Sequence, residues 1–160
     1  MTESVTTTNY FDDVLAAFPS GITIVTTTDT DGESRGFTAS SFCAVSSEPA
    51  LVLVCIDNAA SCFEVFEAAD SWTINIVDVE SADVAIRFAT RGADKFAGNH
   101  FDQLLGEHPS LTNASVRLHC SAHAKYAGGD HLILVGQIEN AVKSDREPLV
   151  YLRRRFGTFA

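Results

Sequence analysis

The sequence lacks the short motifs that identify several common enzyme classes. It has no Gly-x-Gly-x-x-Gly run and no phosphate-binding P-loop. A Rossmann nucleotide site and a P-loop nucleotidase are therefore excluded. No apolar run is long enough to span a bilayer, and residues 1–9 lack the apolar core of a signal peptide. We expect a cytoplasmic protein that does not associate with membranes.

Positive charge is scarce as well. The chain has 11 Lys and Arg residues against 21 Asp and Glu residues, which gives a formal net charge of -10. Such a charge repels phosphate backbones, so we predict no nucleic-acid partner. A ligand that carries a phosphate must find local basic residues or helix ends in this chain.

The cysteine pattern supports neither a disulfide framework nor a metal site. Cys43, Cys55, Cys62 and Cys120 form no Cys-x-x-Cys pair, which favours reduced thiols. His119 and His123 flank Cys120, but strand positions four apart lie about 13 Å from each other. Cys120 would also point to the opposite face of the strand, so we predict no metal.

The length of 160 residues favours a single domain. We assign residues 1–8 to a mobile tail and residues 9–160 to one domain. Hydrophobic spacing and turn residues predict helices over 10–18, 61–69 and 81–90. They predict strands over 22–28, 34–40, 50–56, 72–77, 116–126, 132–142 and 149–152.

The order of these elements favours antiparallel pairing. Ala127–Asp130 predicts a tight hairpin between the two long strands. The continuous apolar run Ala50–Ile56 predicts a strand buried on both faces. Residues 91–114 are expected to be mostly loop. We therefore predict a mainly β fold, a β-barrel with peripheral helices.

The most informative stretch runs from Gly36 to Ser61. A strand of small and hydroxyl residues, Thr38-Ala39-Ser40-Ser41, is followed by the apolar strand and then by a helix start. Apolar walls with backbone donors suit a flat, polar-edged ring such as an isoalloxazine, and a helix start suits its phosphate. We interpret this stretch as a flavin site, with an exposed edge strand as the competing interpretation.

Three further features each have two interpretations. Ser61 and Glu64 have the spacing of a helix capping box. The competing interpretation is that Ser61 binds a phosphate at the helix N-terminus. Three basic residues lie in or just after the third predicted helix, namely Arg87, Arg91 and Lys95. They either interact with the C-terminal end of the helix dipole or bind a phosphate. His131 follows the hairpin glycines, where it is either a surface residue or a group that contacts a nicotinamide or phosphate.

The motifs together resemble the short-chain flavin reductases, which are the reductase components of two-component flavin-dependent monooxygenases. The resemblance covers about residues 18–151 and rests on the order and spacing of its landmarks. These are Phe18–Gly21, Gly36–Phe42, Ser46–Pro49, Ser61, Asn75, Arg87–Ala89, Asp94–Phe96, Gly129–His131, Gly136 and Pro148–Tyr151.

The resemblance implies a split β-barrel with the flavin reductase-like FMN-binding fold, acting as a homodimer. NADH, or NADPH as the alternative donor, would reduce FMN or FAD, and the free reduced flavin would diffuse to a monooxygenase partner. The implied flavin-site residues are Thr38, Ala39, Ser40, Ser41, Cys55, Ile56, Asp57, Asn58, Ser61, Thr90, Arg91, Lys95 and Phe96. The implied nicotinamide-site residues are His131, Tyr151, Arg153 and Arg154, with His131 positioning the nicotinamide rather than acting as an obligate acid or base.

Other functions on the same barrel stay open at this point. One is a flavin- or haem-binding module without NAD(P)H turnover, and another is a pyridoxine-phosphate oxidase or a deazaflavin enzyme. The chain departs from the family pattern after Lys95 and over residues 107–111, which leaves the choice between FMN and FAD open.

Overall fold

The computed structural model describes residues 8–159. Residues 1–7 of the predicted tail lie outside the described residues. Thr8, the last residue of that predicted tail, is the first residue of a helix. The helices in the described range are α1 (Thr8–Leu15), α2 (Phe63–Ala68) and α3 (Ala82–Ala89), with a 3-10 turn at Val79–Ser81. The strands are β1 (Ser20–Gly21), β2 (Thr23–Thr28), β3 (Ser34–Ala39), β4 (Cys43–Ser47), β5 (Ala50–Asp57), β6 (Ser71–Ile76), β7 (Phe101–Asp102), β8 (Ser110–Leu111), β9 (Val116–Gly128), β10 (His131–Lys143), β11 (Val150–Leu152) and β12 (Arg155–Gly157).

The largest sheet has seven antiparallel strands in the order β3-β2-β6-β9-β10-β5-β4. Its two edge strands, β3 and β4, are consecutive in the chain and are joined only by Ser40, Ser41 and Phe42. A link of this length reaches about 14 Å at most, so the sheet must curl until its edges face each other.

The curled sheet does not close into a full barrel. In the described part of the chain, no ladder of backbone hydrogen bonds joins β3 to β4. Ser41 in the link is bonded to β5, because the Cys55 amide donates a hydrogen bond of 2.9 Å to its hydroxyl oxygen. The fold is therefore a split β-barrel, as the sequence predicts.

Within the single chain, β5 is buried on one face only, so the chain alone does not bury both faces as predicted. Val52, Val54 and Ile56 are buried inside the barrel, whereas Leu51, Leu53 and Cys55 on the other face are half-buried. A strand in a barrel wall has one face on the interior and one on the outside, so a continuous apolar run does not imply two covered faces.

Two hydrophobic clusters lie on opposite sides of the sheet. The interior cluster surrounds Trp72 and Phe66, which are fully buried. The outer cluster lies under α3 and includes Phe88 together with Phe96 and Phe101. Burial also raises the pKa of the interior Cys120 thiol to about 12, so this cysteine behaves as a small apolar core residue.

Helix boundaries differ from those predicted. α1 ends at Leu15, three residues before the predicted end. α2 begins at Phe63 after an N-cap at Cys62, and no side chain caps it. The capping box at Ser61 and Glu64 is therefore wrong, because the chain turns into the helix one residue later than the motif requires.

The segment 91–114 contains the short strands β7 and β8 and is anchored to the sheet by polar contacts. The Asn75 side chain accepts a hydrogen bond from the Leu111 amide at 2.8 Å. The buried His108 ring lies 2.6 Å from the Ser71 hydroxyl and 3.1 Å from the Thr28 hydroxyl. Burial, aided by the nearby His119, lowers the pKa of His108, so the ring is neutral in the folded protein near neutral pH.

The end of the chain forms a second small sheet in the order β1-β11-β12. The sequence predicts β11 but misses β1, β4, β7, β8 and β12, which have two to five residues each. No helix within residues 8–159 combines the length and the apolar character that crossing a bilayer requires.

Gly36 is required where α3 packs on the outer face of β3. A Cβ atom at this position would lie 2.7 Å from Phe88 Cε1 and 2.8 Å from the Val25 carbonyl oxygen. We expect Gly36→Ala to lower the free energy of unfolding by about 1–3 kcal/mol in urea denaturation, because overpacking forces neighbours to shift. The matched control is Gly157→Ala, where a Cβ meets nothing within 4 Å, and an equal loss in both variants would contradict this explanation.

Candidate functional site

A cavity of about 400 Å³ lies at the split of the barrel, and we call it the main cavity. Its wall combines the end of β3 and the following link with the end of β5, the turn after β5 and the end of α3. The chain must leave the β3 ladder to cross from one sheet edge to the other, so the cavity follows from the same geometry that splits the barrel.

Most of the residues predicted for the flavin site meet in this wall. Those that line the main cavity are Thr38, Ala39, Ser40, Ser41, Cys55, Ile56, Asp57, Ser61, Thr90, Arg91 and Lys95, and His131 joins them from the start of β10. The sequence interpretation missed five further lining residues, which are Phe37, Ala59, Ala60, Phe88 and Ala89. These are apolar, and no pattern in the sequence distinguishes them from ordinary core residues.

Two of the lining hydroxyls have structural partners. The Thr38 hydroxyl donates a hydrogen bond of 2.6 Å to the Ala85 carbonyl and ties β3 to α3. The Ser41 hydroxyl is bonded to the Cys55 backbone. Ser40 is exposed and lines the main cavity.

Arg91 and Lys95 bring positive charge to the cavity. The Arg91 guanidinium donates to the Ala59 carbonyl at 3.0 Å, and the Lys95 ammonium donates to the Gly36 carbonyl at 3.2 Å. Within residues 8–159, neither side chain has a carboxylate within ion-pair distance. In a protein with a formal net charge of -10, two cations paired only with carbonyls make a local site for an anion.

Arg87 does not share this role. Its guanidinium donates to the Ala97 carbonyl at 2.7 Å and lies 4.0 Å from the Asp83 carboxylate. It therefore fastens α3 to the segment that follows. The exposed Ser61, which does not cap α2, lies in the wall beside Arg91 and Lys95.

His131 is held by its neighbour in the chain. The β9–β10 hairpin turns at Gly129 and Asp130, and Gly129 adopts a φ of 65° that favours glycine. The His131 Nδ1 atom lies 2.7 Å from an Asp130 carboxylate oxygen, and this hydrogen bond holds the pKa of Asp130 below its usual value. The contact at Nδ1 orients the ring, which leaves Nε2 for other partners.

Five predicted site residues lie elsewhere. Asn58 is not in the cavity wall, because its amide groups bond to the Gly129 and Asp130 carbonyls. Phe96 packs on Phe88 and Phe101 and borders a second cavity. Tyr151 and Arg154 line a third cavity that meets the main cavity at Ser40.

Arg153 is the fifth of these residues. It lies at the turn of the β11–β12 hairpin with a φ of 50°, and its amide donates to the Ala16 carbonyl at 2.7 Å. Its side chain borders a groove on the far side of that hairpin.

No metal centre accompanies this cavity. Across the part of the chain that the structure describes, no three His, Cys, Asp or Glu side chains are placed to hold one ion. The wall combines apolar side chains with the local positive charge of Arg91 and Lys95.

Comparison with known proteins identifies the family. The model of the flavin reductase like domain matches residues 15–160, so the chain belongs to this family. The split barrel is the fold that the sequence resemblance implied.

Several curated relatives are similar over most of this chain. The actinorhodin polyketide dimerase of Streptomyces coelicolor is 39% identical over 146 residues, which cover 91% of this chain and 82% of that protein. The NADH:riboflavin 5'-phosphate oxidoreductase of Streptomyces pristinaespiralis is 37% identical over 151 residues, which cover 92% of this chain and 86% of that protein. The chain spans only 47% of the reductase component of the Acinetobacter baylyi trigonelline monooxygenase, which is 36% identical over 91% of this chain.

A solved structure has the same fold over almost the whole chain. It is the Streptomyces globisporus C-1027 NADH:FAD oxidoreductase SgcE6 in complex with NAD and FAD fragments. It is 30% identical to this chain with a TM-score of 0.92, and the match covers 99% of this chain and 98% of that one.

Proposed function

We propose that the protein is an NAD(P)H:flavin oxidoreductase, which transfers a hydride from NADH to FMN or FAD. The free reduced flavin then serves a separate monooxygenase. The observation that carries the proposal is the main cavity, whose wall brings together the strand link after β3, the cations Arg91 and Lys95, and the imidazole of His131.

The wall suits a flavin in three respects. Ala39 and Ile56 are buried and apolar, and they form surfaces against which a flat ring packs. Ser40 and Ser41 follow the end of the β3 ladder, so their backbone groups can meet the polar edge of the ring. Arg91 and Lys95 neutralise the phosphate through charge-assisted hydrogen bonds.

When bound, the flavin supplies the electron-accepting ring, so the protein needs no acid or base for the hydride step. The role of the chain is to hold two rings in contact and in the correct orientation. His131 positions the nicotinamide, and Asp130 orients His131 through the contact at Nδ1. Tyr151 and Arg154 line the third cavity, which meets the main cavity at Ser40. They extend the nicotinamide-binding part of the site.

The direct test is turnover with purified protein. NADH is mixed with FMN, FAD or riboflavin, and the loss of the nicotinamide absorbance is followed with time. We expect flavin-dependent oxidation of NADH, and NADPH serves as the second donor. If neither donor is oxidised with any flavin, while flavin still binds, the protein is a flavin-binding module and not a reductase.

His131→Ala should weaken the enzyme without abolishing it. Because the ring positions the nicotinamide and takes no part in bond making, we expect the KM for NADH to rise about tenfold with a smaller change in kcat. The KM for flavin should change little. The control is His123→Ala, an exposed histidine on β9, and wild-type kinetics in both variants would exclude the role of His131.

A homodimer is part of the proposal. The edge strand β4 exposes Val45, and the outer face of β5 presents the half-buried Leu51 and Leu53. An unprotected edge strand beside an apolar face is a feature that a second copy would cover. Light scattering of the purified protein should give the mass of two chains, and the mass of one chain at micromolar concentration would contradict this assembly.

We also place the enzyme in the cytoplasm. All four cysteines, Cys43, Cys55, Cys62 and Cys120, are free thiols. Free thiols are typical of reducing compartments, and NADH is available to an enzyme there.

A further inference from the structure

Residues 107–111 lie across the outer face of β2 and β6, and we call this stretch the strap. The Thr26 hydroxyl donates a hydrogen bond to the Pro109 carbonyl. The Leu111 amide donates to the side-chain oxygen of Asn75 at 2.8 Å. The sequence departs from the family pattern over this same stretch. Hydrogen bonds to side chains of the sheet therefore hold the strap in place.

The buried ring of His108 is the central contact of the strap. The Thr28 hydroxyl donates its proton to the Glu107 carbonyl at 3.2 Å, so its oxygen accepts from His108 Nδ1, which lies 3.1 Å away. The Nε2 atom is then the acceptor for the Ser71 hydroxyl at 2.6 Å. One ring nitrogen donates and the other accepts, and this arrangement requires a neutral imidazole.

No negative charge is placed to balance a proton on this ring. In the described part of the chain, no carboxylate lies within ion-pair distance of His108. β2 and β6 present the hydroxyls of Thr28 and Ser71, and β9 presents His119, whose ring centroid lies 5.8 Å from that of His108. The strap itself contributes Glu107, which is exposed and affects the ring less than burial or His119 does. A proton on His108 would therefore create a buried charge without a partner.

His119 does not relieve this arrangement. Its Nδ1 atom is buried and has no hydrogen-bond partner among the described residues. Protonation of His119 would leave a second buried donor unpaired, 5.8 Å from the first ring. The two facing imidazoles therefore favour the neutral state in each other.

We propose that the strap is a pH-sensitive latch, which lies closed on the sheet while His108 is neutral and is released locally when His108 takes up a proton in mild acid. Release exposes the ring to water, which solvates the charge that the closed structure leaves unpaired. The contacts of the strap to β2 and β6 are hydrogen bonds that water replaces at little cost. The inference does not require bound flavin.

The direction of the pH effect follows from linkage. Burial, aided by His119, lowers the pKa of His108 in the closed protein. The closed ring then binds its proton more weakly than a solvated ring does. Its contribution to the free energy of opening is complete above the ordinary His pKa of about 6.5 and decreases as the pH falls below that value.

The strap ends the segment that supplies cations to the main cavity. Its residue Leu111 pairs with Phe101 of β7, and Phe101 packs on Phe96, the residue after Lys95. These contacts connect the strap to the part of the chain that carries Lys95. Release of the strap therefore loosens this segment at the end away from the cavity.

The experiment measures hydrogen exchange of the intact protein by mass spectrometry at about pH 7.5 and about pH 5.5. After correction for the intrinsic exchange rate, we expect the strap peptide that contains Leu111 to open about tenfold more often at the lower pH, one unit below the ordinary His pKa. The core strand β6, followed at Trp72 and Ile74, should not open more often. An unchanged strap, or equal changes in strap and core, would overturn the latch.

His108→Gln is the test variant, because an amide bonds to a hydroxyl but takes up no proton in this pH range. The ratio of opening at the two pH values should fall from about ten to about one. Comparing this ratio within each protein removes any change in the basal stability of the strap. The matched control is His123→Gln, which replaces an exposed histidine of β9 and should keep the wild-type ratio. A wild-type ratio in His108→Gln would overturn the latch.

A second measurement decides the matter if His108→Gln does not fold. The His108 ring of the wild type is titrated by NMR, and it should take up its proton at a lower pH than the exposed His123 does. An ordinary His108 pKa in the closed protein would overturn the latch. Neither experiment uses flavin or NADH, so the latch and the reductase proposal stand or fall separately.

Discussion

The short link between β3 and β4 is the constraint on which the rest of the structure depends. Ser40, Ser41 and Phe42 connect strands at the two opposite edges of a seven-stranded sheet. Because so short a link cannot cross a flat sheet of this width, the sheet curls and its edges meet. The edges do not pair, and the opening between them becomes the main cavity. Fold and binding site therefore have the same geometric cause.

The distribution of charge makes this opening suitable for an anionic ligand. The protein is strongly acidic overall, yet Arg91 and Lys95 lie at the cavity with only backbone carbonyls as partners. By contrast, Arg146 and Arg117 are engaged by carboxylates of the protein itself. Local electrostatics, rather than net charge, thus decides what this surface can bind.

Features that depend on residues close together in the chain were predicted correctly, whereas features that depend on contacts between distant residues were not. The β9–β10 hairpin was predictable because Gly129 and Asp130 are local turn signals between two long apolar strands. The structural role of Gly36 was not predictable, since it depends on Phe88 of α3, for which the missing side chain makes room. Of the two interpretations of Ser61, the structure contradicts the helix cap. A capping motif states only what is compatible with a helix start, whereas the position of the start depends on how the turn after β5 leads into α2.

Sequence alone determined the class of fold, the absence of the common nucleotide-binding motifs and most of the residues in the cavity wall. These follow from local properties, namely hydrophobic periodicity, turn chemistry and family landmarks with a fixed order. Only the tertiary structure decided which hydroxyls are occupied and which cations lack a carboxylate, and it alone placed His108 against Thr28 and Ser71. Such properties depend on contacts between residues far apart in the chain, such as Lys95 with Gly36 and Arg91 with Ala59, and a one-dimensional pattern does not record them.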